Sequence, residues 1–287
     1  MNFIDLHTDT PLKIYIKQKA DADFIEQDFD FYLQNMAIWL SDKDLNSKET
    51  YDNTLKNLKA YSEKNGFSLR GDFKSSGAFL SVENGGFLAG NPKYLEKMRD
   101  DGVKIISLAW NGESPLAGGC YSGSPLNDNA VEIINRMNDY GIALDISHLN
   151  EISAKKAIEI AKFSLATHSN CKEVFEHPRN LSDKILLSLK KKGGIVGLCF
   201  YPEFLGGDVF LKLYENVKHL IALGMEKNIA IGSDFDGAEM DPRLAKTKDV
   251  EILYNFLIDK GIEKSIVDGI FFENALAFFR KICKNKY

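Results

Sequence analysis

The stretch Phe3-Ile4-Asp5-Leu6-His7-Thr8-Asp9, residues 3–9, leads from a short apolar run into side chains that can bind metal. Residues two apart on an extended backbone face the same way, so His7 and Asp9 can reach a single ion. Residues 3–6 are therefore predicted to form a strand. Seven later runs of similar character predict further strands, at residues 36–40, 78–82, 104–109, 143–146, 164–167, 195–200 and 229–232.

Helical periodicity fills the intervals between these runs. It is clearest in three apolar groups: Tyr51, Leu55, Leu58 and Tyr61; Val131, Ile134, Met137 and Tyr140; and Leu213, Val217, Leu220 and Ile221. Alternating strands and helices predict an α/β fold, a TIM-like (β/α)8 barrel forming one domain over residues 1–287. An open doubly wound sheet is the alternative, but no G-x-G-x-x-G follows the first strand; two small domains also fit this length.

Local signals mark helix ends and loops. Asn150 and Ser182 are predicted helix N-caps, and Gly193-Gly194 predicts the end of a helix. Segments 112–126, 201–208 and 234–243 are predicted to be loops. In a barrel, such loops lie over the C-terminal face, where active sites are built.

Composition excludes several classes of function. The net charge is -5 and no cationic block is present, so nucleic acid is not expected as a partner. No apolar stretch reaches the length of a membrane span, and the N-terminus has no signal-peptide pattern, so we expect a cytoplasmic protein with no membrane partner. The four cysteines are scattered without paired spacing and predict reduced thiols.

Polar residues with metal-ligand chemistry follow several predicted strands. Glu83, His148, His168 and Asp234 each come directly after an apolar run, as His7 and Asp9 do. Barrel geometry brings such strand ends together around one mouth. A carboxylate at the end of a buried run is unfavourable unless it meets a cation or a hydrogen-bond donor.

Each of these residues also has a purely structural interpretation. His7 and Asp9 could form a hydrogen-bonded turn, His148 and His168 could be satisfied core histidines, and Glu83 and Asp234 could open loops. The joint pattern favours a metal site, because three of only five histidines lie at strand ends. A ligand set of His, Asp and Glu without Cys suits zinc, manganese or iron in a hydrolytic site.

The sequence resembles the membrane (renal) dipeptidase family, peptidase family M19, a branch of the amidohydrolase superfamily of metal-dependent barrels. The matching motifs occur in the family's order: Asp5-Leu6-His7-Thr8-Asp9, Val82-Glu83-Asn84-Gly85, Asp145-Ile146-Ser147-His148, Thr167-His168-Ser169, His177-Pro178-Arg179-Asn180-Leu181-Ser182-Asp183 and Gly232-Ser233-Asp234-Phe235-Asp236-Gly237. Together they run from the first strand almost to the C-terminus. Any one motif is weak, but the ordered set is specific.

The resemblance implies a role for each matched position. His7 and Asp9 would bind one divalent metal, His148 and His168 a second, and Glu83 would bridge the two, with zinc as the expected metal. Asp234 would handle the proton of a water shared by the two ions. Arg179 would receive the terminal carboxylate of a dipeptide substrate, and Tyr201 falls where the family has a tyrosine near that carboxylate. The family often dimerises, so a homodimer is expected.

One position departs from the family pattern. Trp110 stands where renal-type enzymes carry a histidine that contacts the scissile group of the substrate. An indole cannot supply the same charge, although its N–H is a donor. Altered substrate scope, an enzyme acting on another small amide, and a catalytically weakened metal-binding homologue are the alternatives that follow. Deaminases and phosphotriesterases of the superfamily mostly begin with His-x-His, which His7-Thr8-Asp9 does not match.

Overall fold

A strand overlaps every predicted apolar run in the computed structural model, which describes residues 1–20, 29–44, 46–69 and 71–284. The strands are β1 Asn2–Thr8, β2 Phe31–Trp39, β3 Gly77–Glu83, β4 Val103–Ser107, β5 Ala143–Asp145, β6 Ser164–Leu165, β7 Val196–Leu198 and β8 Ile229–Ile231. Some bounds differ from the prediction. The second strand begins five residues earlier than predicted, because buried residues extend its pairing with β1 back to Phe31.

The eight strands form one parallel sheet in the order β6-β5-β4-β3-β2-β1-β8-β7. A further bridge between Ala166 and Val196 joins the two outer strands and brings the sheet to a nearly closed barrel. The predicted TIM-like (β/α)8 fold is confirmed. Because all strands are parallel, their carboxyl ends meet at one face.

Helices occupy the intervals that helical periodicity predicted. They are α1 Thr10–Tyr15, α2 Ser47–Asn65, α3 Tyr94–Asp101, α4 Asp128–Tyr140, α5 Glu151–Ile160, α6 Asp183–Lys191, α7 Pro202–Leu205, α8 Val209–Ala222, α9 Val250–Asp259, α10 Lys264–Asp268 and α11 Asn274–Lys284. Among the helices described, none combines the length and apolar character needed to cross a bilayer. Val131 belongs to the periodic apolar group of α4 but is 36% exposed, because it lies one residue off the stripe that α4 buries.

The helix caps follow the sequence signals in part. The Asn150 side chain accepts a hydrogen bond from the Ser153 backbone N–H at the start of α5. Ser182 stands at the N-cap of α6, but its hydroxyl makes no capping bond. The left-handed backbone of Gly193 follows the end of α6.

Two apolar layers build the core. The inner layer fills the barrel and includes Ile4, Leu33, Phe79, Ile105 and Leu165; residues of α11 pack against it. Phe279 of α11 stacks on Phe73 with ring centroids 4.5 Å apart. The larger outer layer lies between the strands and the surrounding helices. All four cysteines are unpaired thiols.

The predicted loop at residues 201–208 contains a short helix, so that prediction was wrong in part. Pro202 opens α7, where its missing N–H has no helical partner to lose. Gly206 ends it with a left-handed backbone, φ 70°. Segment 112–126 has neither helix nor extended strand, as predicted.

Candidate active site

The carboxyl ends of five strands bring the predicted polar residues to one place. His7 lies within β1, and Glu83 is the last residue of β3. His148 and His168 follow β5 and β6, while Asp234 follows β8. All five side chains are buried, although the strands that carry them are far apart in sequence.

Glu83 lies between His7 on one side and the pair His148 and His168 on the other. Its Oε2 is 3.3 Å from His7 Nε2, and its Oε1 is 2.5 Å from His148 Nε2. The His148 and His168 Nε2 atoms are 2.9 Å apart. On the other side, Asp9 Oδ2 is 3.7 Å from His7 Nε2. One carboxylate therefore has an oxygen facing each half of the cluster.

The donor set fits divalent cations. Two groups of three ligand atoms, each within 4.8 Å of one another, share Glu83: His7, Asp9 and Glu83, and Glu83, His148 and His168. His7 Nε2 and Asp9 Oδ1 are buried without a hydrogen-bond partner. Buried polar atoms are rarely left unpartnered, so these two atoms fit the donors of a metal site. Nitrogen and carboxylate donors of this kind suit zinc.

The surroundings lower the pKa of two of the cluster histidines and raise that of the third. Burial and the positive charge on Arg179 lower the pKa of His148 to about 4. Burial also lowers the pKa of His168 well below its usual range, so both imidazoles are neutral, as metal ligands must be. Burial acts against a charge on His7, but the nearby carboxylates of Asp9 and Glu83 outweigh it and raise the pKa of His7.

The pKa values of the two buried acids Glu83 and Asp234 are shifted in opposite directions. Burial would raise the pKa of Glu83, yet the neighbouring His148 and His7 lower it. Burial raises the pKa of Asp234 to about 7, and the charges on Asp9 and Glu83 act in the same direction. A carboxyl group that gains and loses a proton near neutral pH is suited to acid–base work.

The backbone around Asp234 is held in an unusual conformation. Asp234 and Asp236 have φ values of 68° and 70°, a left-handed region that non-glycine residues rarely adopt. Gly237 completes the turn, because a Cβ there would overlap Asp9 Oδ2. The turn that aims Asp234 at the cluster thus depends on a glycine beside Asp9.

A cavity of about 370 Å³ opens beside the cluster. Its lining comprises Asp9, Leu12, Trp39, Glu83, Trp110, Asn111, His148, His168, Tyr201, Phe204, Asp234, Gly237 and Ala238. Trp110 and Tyr201, predicted from the sequence to contact substrate, both line it. Trp39 was missed by sequence reasoning: it ends β2 directly opposite Glu83, and its ring packs edge-on against Trp110 at 5.2 Å.

Arg179 lies behind the histidines rather than in the cavity wall. Its Nη2 donates to the His168 carbonyl oxygen at 3.1 Å and lies 3.3 Å from His148 Nε2. Its Nε and Nη1 are buried without a hydrogen-bond partner, and the guanidinium stands over the Phe204 ring. A buried guanidinium with two unpartnered nitrogens indicates an anionic ligand.

The two remaining histidines stand apart from the cluster. His177 accepts the backbone N–H of Arg179 through Nδ1 at 3.2 Å. His219, which the sequence placed on the surface or in packing, is half-buried with its Nε2 2.6 Å from Asp183 Oδ1.

A family model described as membrane dipeptidase, peptidase family M19, matches residues 1–286. The chain belongs to this family. The family resemblance of the sequence motifs is thereby confirmed.

Two sequence relatives and one solved structure show how far the similarity extends. An uncharacterized dipeptidase of Schizosaccharomyces pombe is 27% identical over 214 residues, which cover 71% of this chain and 52% of that protein. An uncharacterized protein in the pqqA 5' region of Klebsiella pneumoniae is 28% identical over 217 residues, covering 70% and 80%. The chain thus matches only about half the length of the fungal relative. A metallo peptidase structure from Rhodobacter sphaeroides, liganded with a phosphinate mimic of the dipeptide L-Ala-D-Ala, shares the fold with a TM-score of 0.86 and 18% identity, covering 98% of this chain and 99% of that one.

Proposed function

We propose that this chain is a binuclear metallo-dipeptidase that hydrolyses the peptide bond of dipeptides, with zinc as the metal. The observation that supports it is the position of Glu83, whose two carboxylate oxygens face two separate sets of ligand atoms. A single-domain barrel over residues 1–287, a cytoplasmic location and a homodimer belong to the same proposal as predictions from the sequence.

Five residues would hold the metals. His7 and Asp9 form one half of the site, His148 and His168 the other, and Glu83 serves both. A bound pair of divalent ions would lower the pKa of a shared water and polarise the carbonyl under attack. The neutral imidazoles of His148 and His168 present lone pairs for this purpose without first losing a proton.

Asp234 would move the proton. Its Oδ1 lies 3.9 Å from His7 Nε2, at the edge of the cluster and in the cavity wall. The carboxylate accepts the proton of the attacking water and later donates it to the leaving amine nitrogen. Its raised pKa, about 7, keeps both protonation states accessible near neutral pH.

Arg179 would recognise the free carboxylate of the substrate. The unpartnered Nε–H and Nη1–H groups can each donate a hydrogen bond to a substrate carboxylate. Tyr201 lines the cavity itself and offers a phenol to the substrate. The dipeptide mimic bound by the Rhodobacter sphaeroides relative supports the choice of dipeptides as the substrate class.

A second candidate is an enzyme for another small amide, or a weakened homologue that binds metal. Trp110 favours it, because the indole lines the cavity where renal-type enzymes have a histidine. The two candidates differ in what they cleave and not in metal content.

A dipeptide panel tests the proposal. Zinc-loaded protein should contain two ions per chain by elemental analysis and should release free amino acids from dipeptides. A reproducible maximum of one ion after supplementation would overturn the binuclear assignment. Two bound ions with no hydrolysis of any dipeptide would favour the second candidate.

A further inference from the structure

A chain of hydrogen bonds runs from a buried carboxylate to one of the proposed metal ligands. Asp145, the last residue of β5, accepts the Thr167 hydroxyl at Oδ2 over 2.6 Å. The same Thr167 Oγ1 lies 2.9 Å from His168 Nδ1. All three side chains are buried, with exposures of 4% or less. We call Asp145, Thr167 and His168 the Asp145 relay.

The proton positions in the relay follow from hydrogen-bond chemistry. A hydroxyl has one proton, and the 2.6 Å contact gives it to the Asp145 carboxylate, which can only accept. The Thr167 oxygen therefore has lone pairs left for His168, so His168 Nδ1 must carry the proton. The Nε2 atom is then unprotonated, and it is the atom that faces the cluster, 2.9 Å from His148 Nε2.

Asp145 is itself held in place. Its Oδ1 accepts the Ser147 hydroxyl at 2.7 Å and the Thr167 backbone N–H at 3.0 Å. The Ser147 oxygen in turn accepts the backbone N–H of His168 at 3.1 Å. The carboxylate thus fixes both the side chain and the backbone of the histidine that it supports.

We propose that Thr167 is a positioning residue of the metal site. Its hydroxyl is held by the Asp145 carboxylate and fixes the His168 tautomer that binds metal through Nε2. This inference rests on the proposed metal ligands. Carboxylates commonly support a ligand histidine directly; here a hydroxyl stands between them. Thr167 Oγ1 also lies 3.4 Å from His7 Nδ1, so one hydroxyl borders ligands from both halves of the cluster.

Zinc affinity tests the proposal without relying on activity. Zinc binding is measured by competition with a chromogenic chelator for wild type, Thr167→Val, Thr167→Ser and Thr54→Val. Valine keeps the shape of threonine but removes the hydroxyl, so Thr167→Val should bind zinc about 10- to 100-fold more weakly, the usual effect of losing such a support. Thr167→Ser should recover most of the affinity. Thr54→Val, a matched change at a buried site on α2, should leave it unchanged.

A spectroscopic readout keeps the test decisive if Thr167→Val does not fold. In zinc-loaded wild-type protein, nitrogen-15 NMR should show His168 protonated at Nδ1, with slow exchange of that proton. A His168 protonated at Nε2, or Thr167→Val binding zinc as tightly as wild type, would overturn the inference. Zinc bound as expected with no dipeptide cleaved would count against the proposed function and leave the relay standing.

Discussion

At the scale of single residues, the site concentrates negative charge around one imidazole. His7 Nε2 has carboxylate oxygens of Glu83, Asp9 and Asp234 within 3.9 Å. Three buried acids beside one imidazole are unfavourable without further positive charge. Bound divalent ions would supply that charge, and the acid with the pKa raised to about 7, Asp234, remains for proton transfer.

Asp234→Asn tests this division of roles. The amide can still accept a hydrogen bond but cannot take a proton, so kcat should fall about 10²- to 10⁴-fold, as is typical when a general base is lost. Metal content should stay at the wild-type value, because the proposed ligands are untouched. A fully metallated variant with near wild-type kcat would remove Asp234 from the mechanism.

The same substitution should change how stability depends on pH in metal-free protein. The pKa of Asp234 rises from 3.8 to about 7 on folding, so between these values the folded chain holds a proton that the unfolded chain has released. The stability contributed by this group is therefore full below pH 4, falls as pH rises, and levels off above pH 7. Asp234→Asn should match wild type near pH 4 and exceed it at pH 8 by on the order of a few kcal/mol. Urea unfolding of chelator-treated protein at both pH values measures the free energy of unfolding. An equal difference between Asp234→Asn and wild type at the two pH values would refute the prediction.

Arg179→Ala should separate substrates by their C-terminal group. Loss of hydrogen bonds to a charged carboxylate should lower kcat/KM for dipeptides roughly 10- to 100-fold, mainly through KM. Amidated dipeptides lack that charge and should be affected much less. Arg179→Lys retains the charge without the planar guanidinium, so its kcat/KM for dipeptides should lie between those of wild type and Arg179→Ala. Equal losses on both substrate types would make Arg179 structural.

The site residues that sequence reasoning missed are all uncharged. The strand-end ligands stand out because charged or ionisable groups interrupt apolar runs. Trp39 is apolar and ends an apolar run, so nothing in the sequence distinguishes it from core. Asn111, whose Oδ1 lies 3.0 Å from His148 Nδ1, and Thr167 are neutral, and their importance depends on contacts that only the folded chain creates.

At the scale of elements, the ends of the two strands that flank β3 supply the two tryptophans of the cavity wall. Trp39 ends β2, in register with Glu83 of β3, and Trp110 follows β4. The charged residues of the cavity lining, Asp9, Glu83 and Asp234, belong to the proposed metal and proton-transfer set. Among the described residues, this wall includes no lysine or arginine to pair with an acidic substrate side chain, whereas its aromatic rings favour an apolar one.

Trp110→His should widen the substrate range. The change removes apolar contact area, so the preference for Leu-Ala over Asp-Ala in kcat/KM should fall roughly tenfold, equivalent to about 1.4 kcal/mol of lost apolar burial. Trp110→Phe keeps an aromatic wall and serves as the control. Metal content should not change in either variant. Unchanged rates across the whole panel would show that position 110 does not touch the substrate.

The type and order of the strands and helices could be predicted from the sequence, but their lengths were less predictable. Short apolar runs identify all eight strands, and helical periodicity identifies α2, α4 and α8, because burial dictates both patterns. The sixth strand covers only Ser164–Leu165, since pairing with β5 ends after two residues. Helix α7 escaped prediction because a four-residue helix shows no apolar repeat. Pairing partners and short turns depend on tertiary contacts that local sequence does not encode.

At the scale of the whole molecule, buried polar bonds join the barrel strands just beneath the site. Asp5 of β1 accepts the Ser233 backbone N–H at 2.9 Å and its hydroxyl at 2.6 Å, connecting β1 to the chain after β8. The Asp145 relay connects β5 to the chain after β6 in the same manner. The proposed metals would add a third set of cross-strand bonds, because their ligands come from β1, β3 and the segments after β5 and β6.

Metal removal should therefore lower the stability of the entire barrel. A ligand that binds only the folded state stabilises it by about 4 kcal/mol when its free concentration is 1,000 times its dissociation constant. For a chain of this size, that corresponds to a fall in Tm of roughly 10 °C on chelation. Calorimetry of zinc-loaded and chelator-treated protein measures the difference, and added zinc should restore the Tm. Glu83→Gln is the decisive variant: it removes the carboxylate charge that faces both halves, so its Tm should respond far less to zinc than that of wild type. A wild-type Tm that does not respond to chelation would show that the cluster does not hold the barrel together through metal.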